Sequence, residues 1–225
     1  MRRQLRCRLR RLQRPARLGS LRRTTPLSEH WGRDRGTPID RYYIEQFLEH
    51  ERHAIAGHVL EVLDASYTER FGVGVEQSDV LDIDAANPRA TITADLAAAD
   101  SIPTGVFDCV ILTQTLQYVY DLDAAVQHVF RILKPGGVLL CSLPAVSRIA
   151  RQYLESEYWR FTAASAHVLF ERHFSAAAVE VVSHGNVLTA ISFLAGLAAE
   201  ELSQSELEID DPFFPLVITV RARRA

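Results

Sequence analysis

The clearest alternation of apolar and polar positions lies between residues 106 and 144, VFDCVILTQTLQYVYDLDAAVQHVFRILKPGGVLLCSLP. Residues 107–112 form a nearly continuous apolar run, which is typical of a strand buried on both faces of a parallel sheet. Between residues 122 and 133 the apolar positions recur at helical spacing, and either Asp121 or Asp123 can cap that helix. The pattern therefore predicts a strand followed by an amphipathic helix.

Residues 134–137, Lys-Pro-Gly-Gly, are expected to end this helix. Lysine suits the carbonyl end of a helix, proline cannot continue it, and glycine tolerates the positive φ of the exit turn. A second apolar run at residues 138–143 predicts another strand. A strand, a crossover helix and a parallel strand form one right-handed βαβ unit, and ligands of such sheets bind beyond the carboxyl ends of the strands. Four polar residues lie at that edge: Thr113, Gln114, Thr115 and Gln117.

The rest of the chain predicts five further strands and three further helices. The strands are expected at residues 58–64, 75–83, 90–94, 179–183 and 214–221. One helix should begin at Thr37, which has capping-box spacing to Asp40, another should be capped by Thr162, and a third should cover residues 187–202. Residues 84–89 are too few for a crossover helix, so the helix between the second and third strands is expected to be lost or reduced to a turn. The predicted fold is α/β, with a doubly wound, mostly parallel sheet of seven strands.

Charge is distributed unevenly along the 225 residues. The net charge is -3, yet residues 1–23 hold ten of the 25 basic residues and no acidic residue, which leaves residues 24–225 with a net charge of -13. We expect residues 1–23 to be a disordered tail and residues 24–225 to form a single domain, whose core the 48% apolar content can fill. The alternative for the tail is a patch for anionic membranes or nucleic acid. A body this acidic repels phosphate backbones, so no nucleic acid is expected to bind the folded domain.

Several classes of protein find no support in the sequence. Cys7, Cys109 and Cys141 form no CxxC pair, and two of them lie in predicted strands, so we interpret them as reduced residues of a cytoplasmic protein. No apolar run reaches the ~18 residues that a membrane span needs. No two histidines have the spacing of a zinc motif, so no metal is expected, and the chain has neither a nucleophile elbow nor a Walker lysine.

Two segments of the region described first, FDCVILTQTLQYV and AAVQHVFRILKPGGVLL, resemble the second half of a class I S-adenosylmethionine-dependent methyltransferase of the group called type 11. The resemblance implies a Rossmann-like methyltransferase fold whose last strand is antiparallel, with S-adenosyl-L-methionine as cofactor and methyl transfer to a substrate oxygen or nitrogen. The sequence YWRFT at residues 158–162 is similar to members of the group that are associated with glycan assembly. The expected substrate is therefore a small molecule or a glycan-type molecule.

On this resemblance, the cofactor lies across the ends of the first three strands. Asp82 and Asp84 lie at the end of the second strand, where a carboxylate can accept both ribose hydroxyls, although a solvated strand end is the alternative. Asp95 matches the acid that contacts the adenine amino group, and Glu61 matches the acid of the first strand. The full set of expected cofactor contacts is Arg35, Gly36, Glu61, Asp64, Asp82, Asp84, Asp95, Leu96, Thr113 and Gln114.

The first strand departs from the family pattern. Leu63, Ala65 and Tyr67 stand where glycines would let the backbone approach the cofactor, and a D-x-x-Y turn from Asp64 to Tyr67 replaces the usual loop. A non-catalytic binding or scaffold protein that keeps the methyltransferase fold is therefore the second hypothesis. A nicotinamide-linked oxidoreductase is the third and the least favoured, because the chain lacks a G-x-G-x-x-G motif after its first strand.

Aromatic and arginine residues form two clusters in the sequence. Trp31 and Arg35 precede the first strand, in a loop that is either a flap over the cofactor or a surface loop, and Tyr158, Trp159 and Arg160 follow the fifth strand. We expect the clusters to meet above the cofactor and bind substrate, because aromatic faces stack on rings and arginine binds carboxylate or phosphate. The alternative is that the two tryptophans are core anchors. The candidates for a general base are His30, Asp34 and Tyr118.

Overall fold

The computed structural model describes residues 18–225, and most of the expected tail, residues 1–17, lies outside the described part. The described residues form one sheet of seven strands in the order β3-β2-β1-β4-β5-β7-β6. The strands are β1 Gly57–Val62, β2 Val75–Asp82, β3 Ile92–Thr93, β4 Phe107–Thr113, β5 Leu133–Pro144, β6 Val179–His184 and β7 Val217–Arg223.

β4 pairs in parallel with β1 on one side and with β5 on the other. β2 and β3 continue the parallel arrangement beyond β1. β7 is antiparallel to both of its neighbours, since Leu140 of β5 lies opposite Arg221 and Val181 of β6 lies opposite Val220. The predicted mostly parallel sheet of seven strands with an antiparallel last strand is confirmed, and that last strand is inserted between β5 and β6.

Helices cover both faces of the sheet. They are α1 Ile39–His50, α2 Ser66–Phe71, α3 Leu122–Ile132, α4 Ala163–Phe170, α5 Val187–Ala195 and α6 Gln204–Leu207. α3 and α4 contribute to the apolar core on one face, and α1 and α5 contribute to the core on the other. β4 supplies both cores, with Val110 and Leu112 in the first and Cys109 and Ile111 in the second. The fold is therefore doubly wound, and burial on both sides explains the continuous apolar run of β4.

The predicted helix start at Thr37 is wrong, because α1 begins at Ile39. Thr37 Oγ1 donates a hydrogen bond of 2.7 Å to Glu200 Oε1, a residue 163 positions away in sequence. The carboxylate of Asp40 accepts a hydrogen bond from the N–H of the next residue. Neither side chain caps α1, since each has a partner elsewhere.

Three other elements are shorter than expected. β3 is limited to Ile92–Thr93, and the segment between it and β2 contains turns and no helix, as predicted. α3 ends at Ile132, and residues 134–137, predicted as the turn that ends this helix, lie within β5, which begins at Leu133 and not at residue 138. α5 ends at Ala195 because Gly196 leaves the helix with a φ of 80°. None of the helices in residues 18–225 is long and apolar enough to cross a membrane.

We predict that Gly196→Ala destabilises the protein more than Gly74→Ala. Both glycines have positive φ, 80° and 75°, which costs an alanine about 1 to 2 kcal/mol. A Cβ at Gly196 would also clash with the backbone oxygen of Ser28, whereas a Cβ at Gly74 would have no described atom within 4 Å. Urea unfolding should show a loss for Gly196→Ala that is at least ~1 kcal/mol larger. Equal losses would contradict close packing of Ser28 against the end of α5.

Candidate active site

The residue that follows β1 has an uncommon backbone conformation. Leu63 has a φ of 77°, in the left-handed region that favours glycine, and its side chain is 62% exposed. Its N–H donates to the carbonyl of Leu81 over 3.0 Å, and its own carbonyl accepts from Asn87 Nδ2 over 2.8 Å. Leu63 therefore adopts the conformation that a glycine at this position would adopt.

A buried carboxylate holds the turn after Leu63. Glu61 is 3% exposed; its Oε1 accepts the N–H of Tyr67 over 3.1 Å, and its Oε2 accepts the N–H and the hydroxyl of Thr68 over 2.8 Å. Burial raises the pKa of Glu61, and these hydrogen bonds oppose the shift. Glu61, predicted as a cofactor contact, thus fixes the start of α2 with both carboxylate oxygens.

Asp64 stabilises the same turn from its first residue. Its carboxylate accepts the N–H of Ser66 over 3.0 Å and pairs with Arg89 at 3.2 Å. Partial burial works against ionisation, but the hydrogen bonds from Ser66 and the charge of Arg89 outweigh it and lower the pKa of Asp64. The D-x-x-Y turn is therefore held by Glu61 and Asp64 together.

Two carboxylates lie at the end of β2, as the sequence predicted. Asp82 accepts hydrogen bonds from the N–H of Asp84 over 2.9 Å and from Asn87 Nδ2 over 2.6 Å. Ile83 lies between the two acids and is 71% exposed. Because Asn87 also binds the carbonyl of Leu63, one side chain joins the ends of β1 and β2. Asn87 was not among the predicted site residues, and its position in a short turn segment was the only signal for it.

The residues after β3 divide into an exposed acid and a buried apolar side chain. Asp95 is exposed, and its Oδ1 accepts the N–H of Ala97 over 2.9 Å, which starts the short 3-10 turn Leu96–Ala98. Leu96 is 6% exposed and packs in the core. Of these two predicted cofactor contacts, only Asp95 presents its side chain to solvent.

Two glutamines near the end of β4 have buried polar atoms without partners. Gln114 follows Thr113, has a φ of 48°, and donates its N–H to the carbonyl of Ser142 over 2.9 Å. Its Nε2 and the Oε1 of Gln117 have no hydrogen-bond partner within residues 18–225. Buried polar groups are nearly always hydrogen-bonded, and an unpaired one costs ~1–3 kcal/mol. The end of β4 therefore contains one donor and one acceptor that no group in residues 18–225 satisfies.

The three candidates for a general base have different surroundings. His30 is exposed, and its N–H binds Ser28 Oγ over 3.0 Å. A hydrogen bond from the Ser28 hydroxyl lowers the pKa of Asp34. Tyr118 packs against Tyr153 with ring centroids 4.7 Å apart, and burial raises the pKa of Tyr118. Asp34 is thus a weak base and Tyr118 stays protonated near neutral pH, so the geometry selects none of the three.

Arg35 and Gly36 contact the segment that follows α5. Arg35 Nε donates to Glu201 over 2.9 Å, and the hydrogen bonding from Arg35 lowers the pKa of Glu201 to about 2. Gly36 lies against Ala198 and Glu200. Arg35 thus has a carboxylate partner in the protein, and its contact with the cofactor stays a prediction.

The residues expected to bind substrate separate into two groups. Tyr158 and Trp159 pack around Tyr120, with ring centroids 5.3 and 6.3 Å from it, and Trp159 Nε1 donates to the carbonyl of Val119 over 3.0 Å. These three rings are called the aromatic cluster below. The N–H of Tyr158 binds the carbonyl of Gln117 over 2.8 Å, so the cluster adjoins the end of β4.

The second group, Trp31 and Arg160, contacts the segment that follows β5. Trp31 Nε1 donates to Ser147 Oγ over 3.4 Å, and its ring stacks on the guanidinium of Arg148 at 4.4 Å. Arg160 Nη2 donates to the carbonyls of Ser147 and Arg148, each over 3.4 Å. The structure therefore brings Trp31 and Arg160 together, while Trp159 lies in the aromatic cluster. Arg148 was not predicted, although its position just after a strand end was an available signal.

Two cavities lie beside these strand ends. One, of about 640 Å³, lies between the start of α3 and α4 and is lined by Tyr120 and Trp159 of the aromatic cluster. The other, of about 750 Å³, lies beside β2. Neither is lined by Asp82, Asp95 or Gln114.

Residues 51–183, more than half of the chain, match the family described as Methyltransferase domain. The chain belongs to the methyltransferase domain family. The match begins before β1, ends within β6, and includes every predicted cofactor contact except Arg35 and Gly36. The predicted resemblance to S-adenosylmethionine-dependent methyltransferases is confirmed.

Curated relatives of this methyltransferase domain align over short stretches. A 60-residue stretch is 42% identical to the ubiquinone/menaquinone biosynthesis C-methyltransferase of Pasteurella multocida and covers 25% of this chain and 22% of that protein. A 74-residue stretch is 32% identical to a probable S-adenosylmethionine-dependent methyltransferase of Mycolicibacterium smegmatis and covers 33% of this chain and 29% of that protein. The chain therefore spans less than a third of the length of these relatives.

Solved structures of methyltransferases share the fold. The S-adenosylmethionine-dependent methyltransferase of Mesorhizobium loti aligns with a TM-score of 0.57 at 17% identity, over 83% of this chain and all of that one. The likeness establishes a Rossmann-like methyltransferase fold. S-adenosylmethionine is the cofactor of this family of enzymes.

We predict that Leu63→Gly is more stable than Leu63→Ala. Both variants remove the exposed side chain, but alanine keeps the cost of the φ of 77°, which is about 1 to 2 kcal/mol. The greater flexibility of unfolded glycine offsets only ~0.4–1 kcal/mol of this gain. Urea unfolding of the two variants measures the difference. At a residue with ordinary φ alanine is the more stable, so that order at Leu63 would contradict the left-handed conformation.

Proposed function

We propose that this chain transfers the methyl group of S-adenosylmethionine to an oxygen or nitrogen atom of a small molecule or a glycan-type substrate. The observation that carries the proposal is the connection of β1 and β2 through Asn87, which places the exposed Leu63 and Ile83 beside Asp82 and Asp84. Carboxylates suit ribose hydroxyls, and apolar side chains suit the faces of a flat ring. A nucleoside cofactor fits this combination.

The neighbouring strand ends support the same cofactor. The exposed carboxylate of Asp95 suits the adenine amino group, and the unpaired Nε2 of Gln114 suits an acceptor oxygen of the bound molecule. The cofactor, when bound, supplies an activated methyl group, so the protein contributes mainly alignment and exclusion of water. The residues that we propose to hold it are Asp82, Asp84, Asp95, Thr113 and Gln114.

Substrate binding is proposed for the aromatic cluster and for the second group around Trp31 and Arg160. Aromatic faces stack on sugars and other rings, which favours a glycan or a cyclic metabolite. The net charge of -13 of residues 24–225 disfavours nucleic acid as substrate. Because the Pasteurella multocida relative is named a C-methyltransferase, carbon is the competing acceptor atom. Buried, unpaired Cys109 and Cys141 support a cytoplasmic location.

One observation favours a second function, that of a non-catalytic binding or scaffold protein. The side chain of Leu63 is 62% exposed at the point where a glycine would let the backbone approach the cofactor. Titration with S-adenosylmethionine separates the two functions. A folded chain that does not bind this cofactor would be a scaffold.

We predict that Asp84→Ala and Asp95→Ala each weaken S-adenosylmethionine binding about tenfold or more, because each removes a charged hydrogen-bond partner worth ~1.5–3 kcal/mol. Isothermal titration of the full chain measures the affinity. Asp100→Ala is the matched control, since Asp100 is an exposed acid outside the proposed set. Wild-type affinity in both Asp84→Ala and Asp95→Ala would show that the cofactor is placed wrongly.

We predict that Trp159→Ala raises the KM for the acceptor by roughly two- to tenfold, since one stacking contact is worth ~0.5–1.5 kcal/mol. Methyl-labelled S-adenosylmethionine and small-molecule extracts identify the acceptor and the methylated atom. Phe213→Ala is the control, because Phe213 is 86% exposed and lies outside the aromatic cluster. A labelled C-methyl product would contradict transfer to oxygen or nitrogen, and an unchanged KM would make the cluster structural.

A further inference from the structure

One arginine near the strand ends has no carboxylate partner within residues 18–225. Arg148 follows β5, and its guanidinium carbon lies 4.4 Å from the ring centroid of Trp31. Its Nη1 is buried and has no hydrogen-bond partner within residues 18–225. Residues 1–17 contain no aspartate or glutamate, so no carboxylate side chain there can pair with it. A partly buried guanidinium without a partner is an unusual and costly group.

The neighbouring arginines do have carboxylate partners. Arg151 pairs with Glu29 at 2.7 Å, and Arg160 pairs with Glu157 at 2.7 Å. The side chain of Glu157 is only 3% exposed, so its charge is committed to Arg160. Glu29 and Glu157 are thus committed to other arginines, and Arg148 forms no ion pair within residues 18–225.

The surroundings of Arg148 are fixed by a set of contacts. Trp31 has a φ of 57°, which is rare for a bulky residue and is typical of functional sites that hold strain. Its Nε1 donates to Ser147 Oγ, and the Ser147 hydroxyl donates to the carbonyl of Arg148 over 3.0 Å. A guanidinium stacked on an aromatic face keeps the N–H donors in its own plane for a ligand.

This pair lies at the edge of the sheet where the methyl transfer is proposed. Arg148 comes shortly after Pro144, the last residue of β5. β5 is the neighbour of β4, and Gln114 at the end of β4 binds the carbonyl of Ser142 in β5. The unpaired donors of Gln114 and Arg148 therefore belong to adjacent strand ends.

We propose that Trp31 and Arg148 form a subsite for a carboxylate or phosphate group of a molecule bound at this edge. Two sources share this chemistry: an anionic group of the acceptor and the carboxylate of the cofactor. That the edge is a methyl-transfer site rests on the function proposed above. Binding of an anion is measurable without the cofactor, so the two proposals can fail separately.

The test uses the full chain with Trp159→Phe, in which Trp31 is the only tryptophan, and inorganic pyrophosphate as the probe. We expect a saturable change in Trp31 fluorescence, with the apparent Kd raised at least tenfold by Arg148→Gln. Arg151→Gln is the matched control, because Arg151 is a nearby arginine with an exposed side chain, and it should leave this Kd unchanged. Far-ultraviolet circular dichroism of each variant confirms that the fold is kept.

A second titration identifies the source of the anion. S-adenosylhomocysteine carries the carboxylate and 5′-methylthioadenosine lacks it. If Arg148→Gln weakens S-adenosylhomocysteine binding tenfold and leaves 5′-methylthioadenosine binding unchanged, the subsite holds the carboxylate of the cofactor. If both of these affinities stay unchanged while pyrophosphate binding is lost, the subsite holds an anionic group of the acceptor. Either result supports the subsite. The proposal is overturned if Trp31 fluorescence of the Trp159→Phe protein does not respond to pyrophosphate, or if Arg148→Gln and Arg151→Gln have equal effects in that protein.

Discussion

Burial of β4 on both faces decides where a ligand of this protein can bind. Its side chains alternate between two apolar cores, so only its ends reach solvent. β1 and β5 pair with it in parallel, which brings the carboxyl ends of three strands to one edge. Three of the residues with an unusual backbone conformation or an unpaired polar group follow these strands: Leu63, Gln114 and Arg148. Parallel pairing of the strands, rather than any local motif, therefore brings these residues to one edge of the sheet.

The turn after β1 achieves with other residues what glycines achieve in the family pattern. Leu63 has a positive φ that costs free energy, and it is retained because the turn is fixed from both sides. The carboxylate of Glu61 accepts two backbone N–H groups at the start of α2, and the side chain of Asn87, which follows β2, donates to the carbonyl of Leu63. A carboxylate as buried as Glu61 tolerates the loss of water because three hydrogen bonds replace it. A leucine in place of the family's glycine is thus compatible with a left-handed backbone at this turn.

Periodicity predicted the central part of the fold well and its distant contacts poorly. Strands β4 and β5 and the helix between them follow from apolar spacing, because burial on two faces leaves a strong local pattern. The helix start at Thr37 failed because Glu200, far away in sequence, binds the threonine that would cap it. The end of α5 also depends on tertiary packing, since Gly196 lies against Ser28. Such contacts have no signal in local spacing.

The candidate site likewise contains some features with a local sequence signal and others that depend on contacts between distant segments. The positions of Asp82, Asp84 and Asp95 near strand ends were predictable because they follow from local apolar runs, whereas the stacking of Trp31 on Arg148 joins segments that only the fold brings together.

The negative net charge of the folded domain makes the unpaired guanidinium of Arg148 unusual. Residues 24–225 carry a net charge of -13, so a carboxylate or phosphate that approaches the folded domain meets repulsion over most of its surface. Exposed ion pairs such as Arg151 with Glu29 add little attraction, because each cation is already neutralised and screened by solvent. A partly buried guanidinium that rests on an aromatic ring and lacks an acidic partner is different, since low local polarity strengthens its attraction for one anion. In an acidic domain, the proposed anion subsite at Arg148 therefore acts through a local attraction that opposes the overall charge, and such an arginine contributes to specificity more than to general affinity.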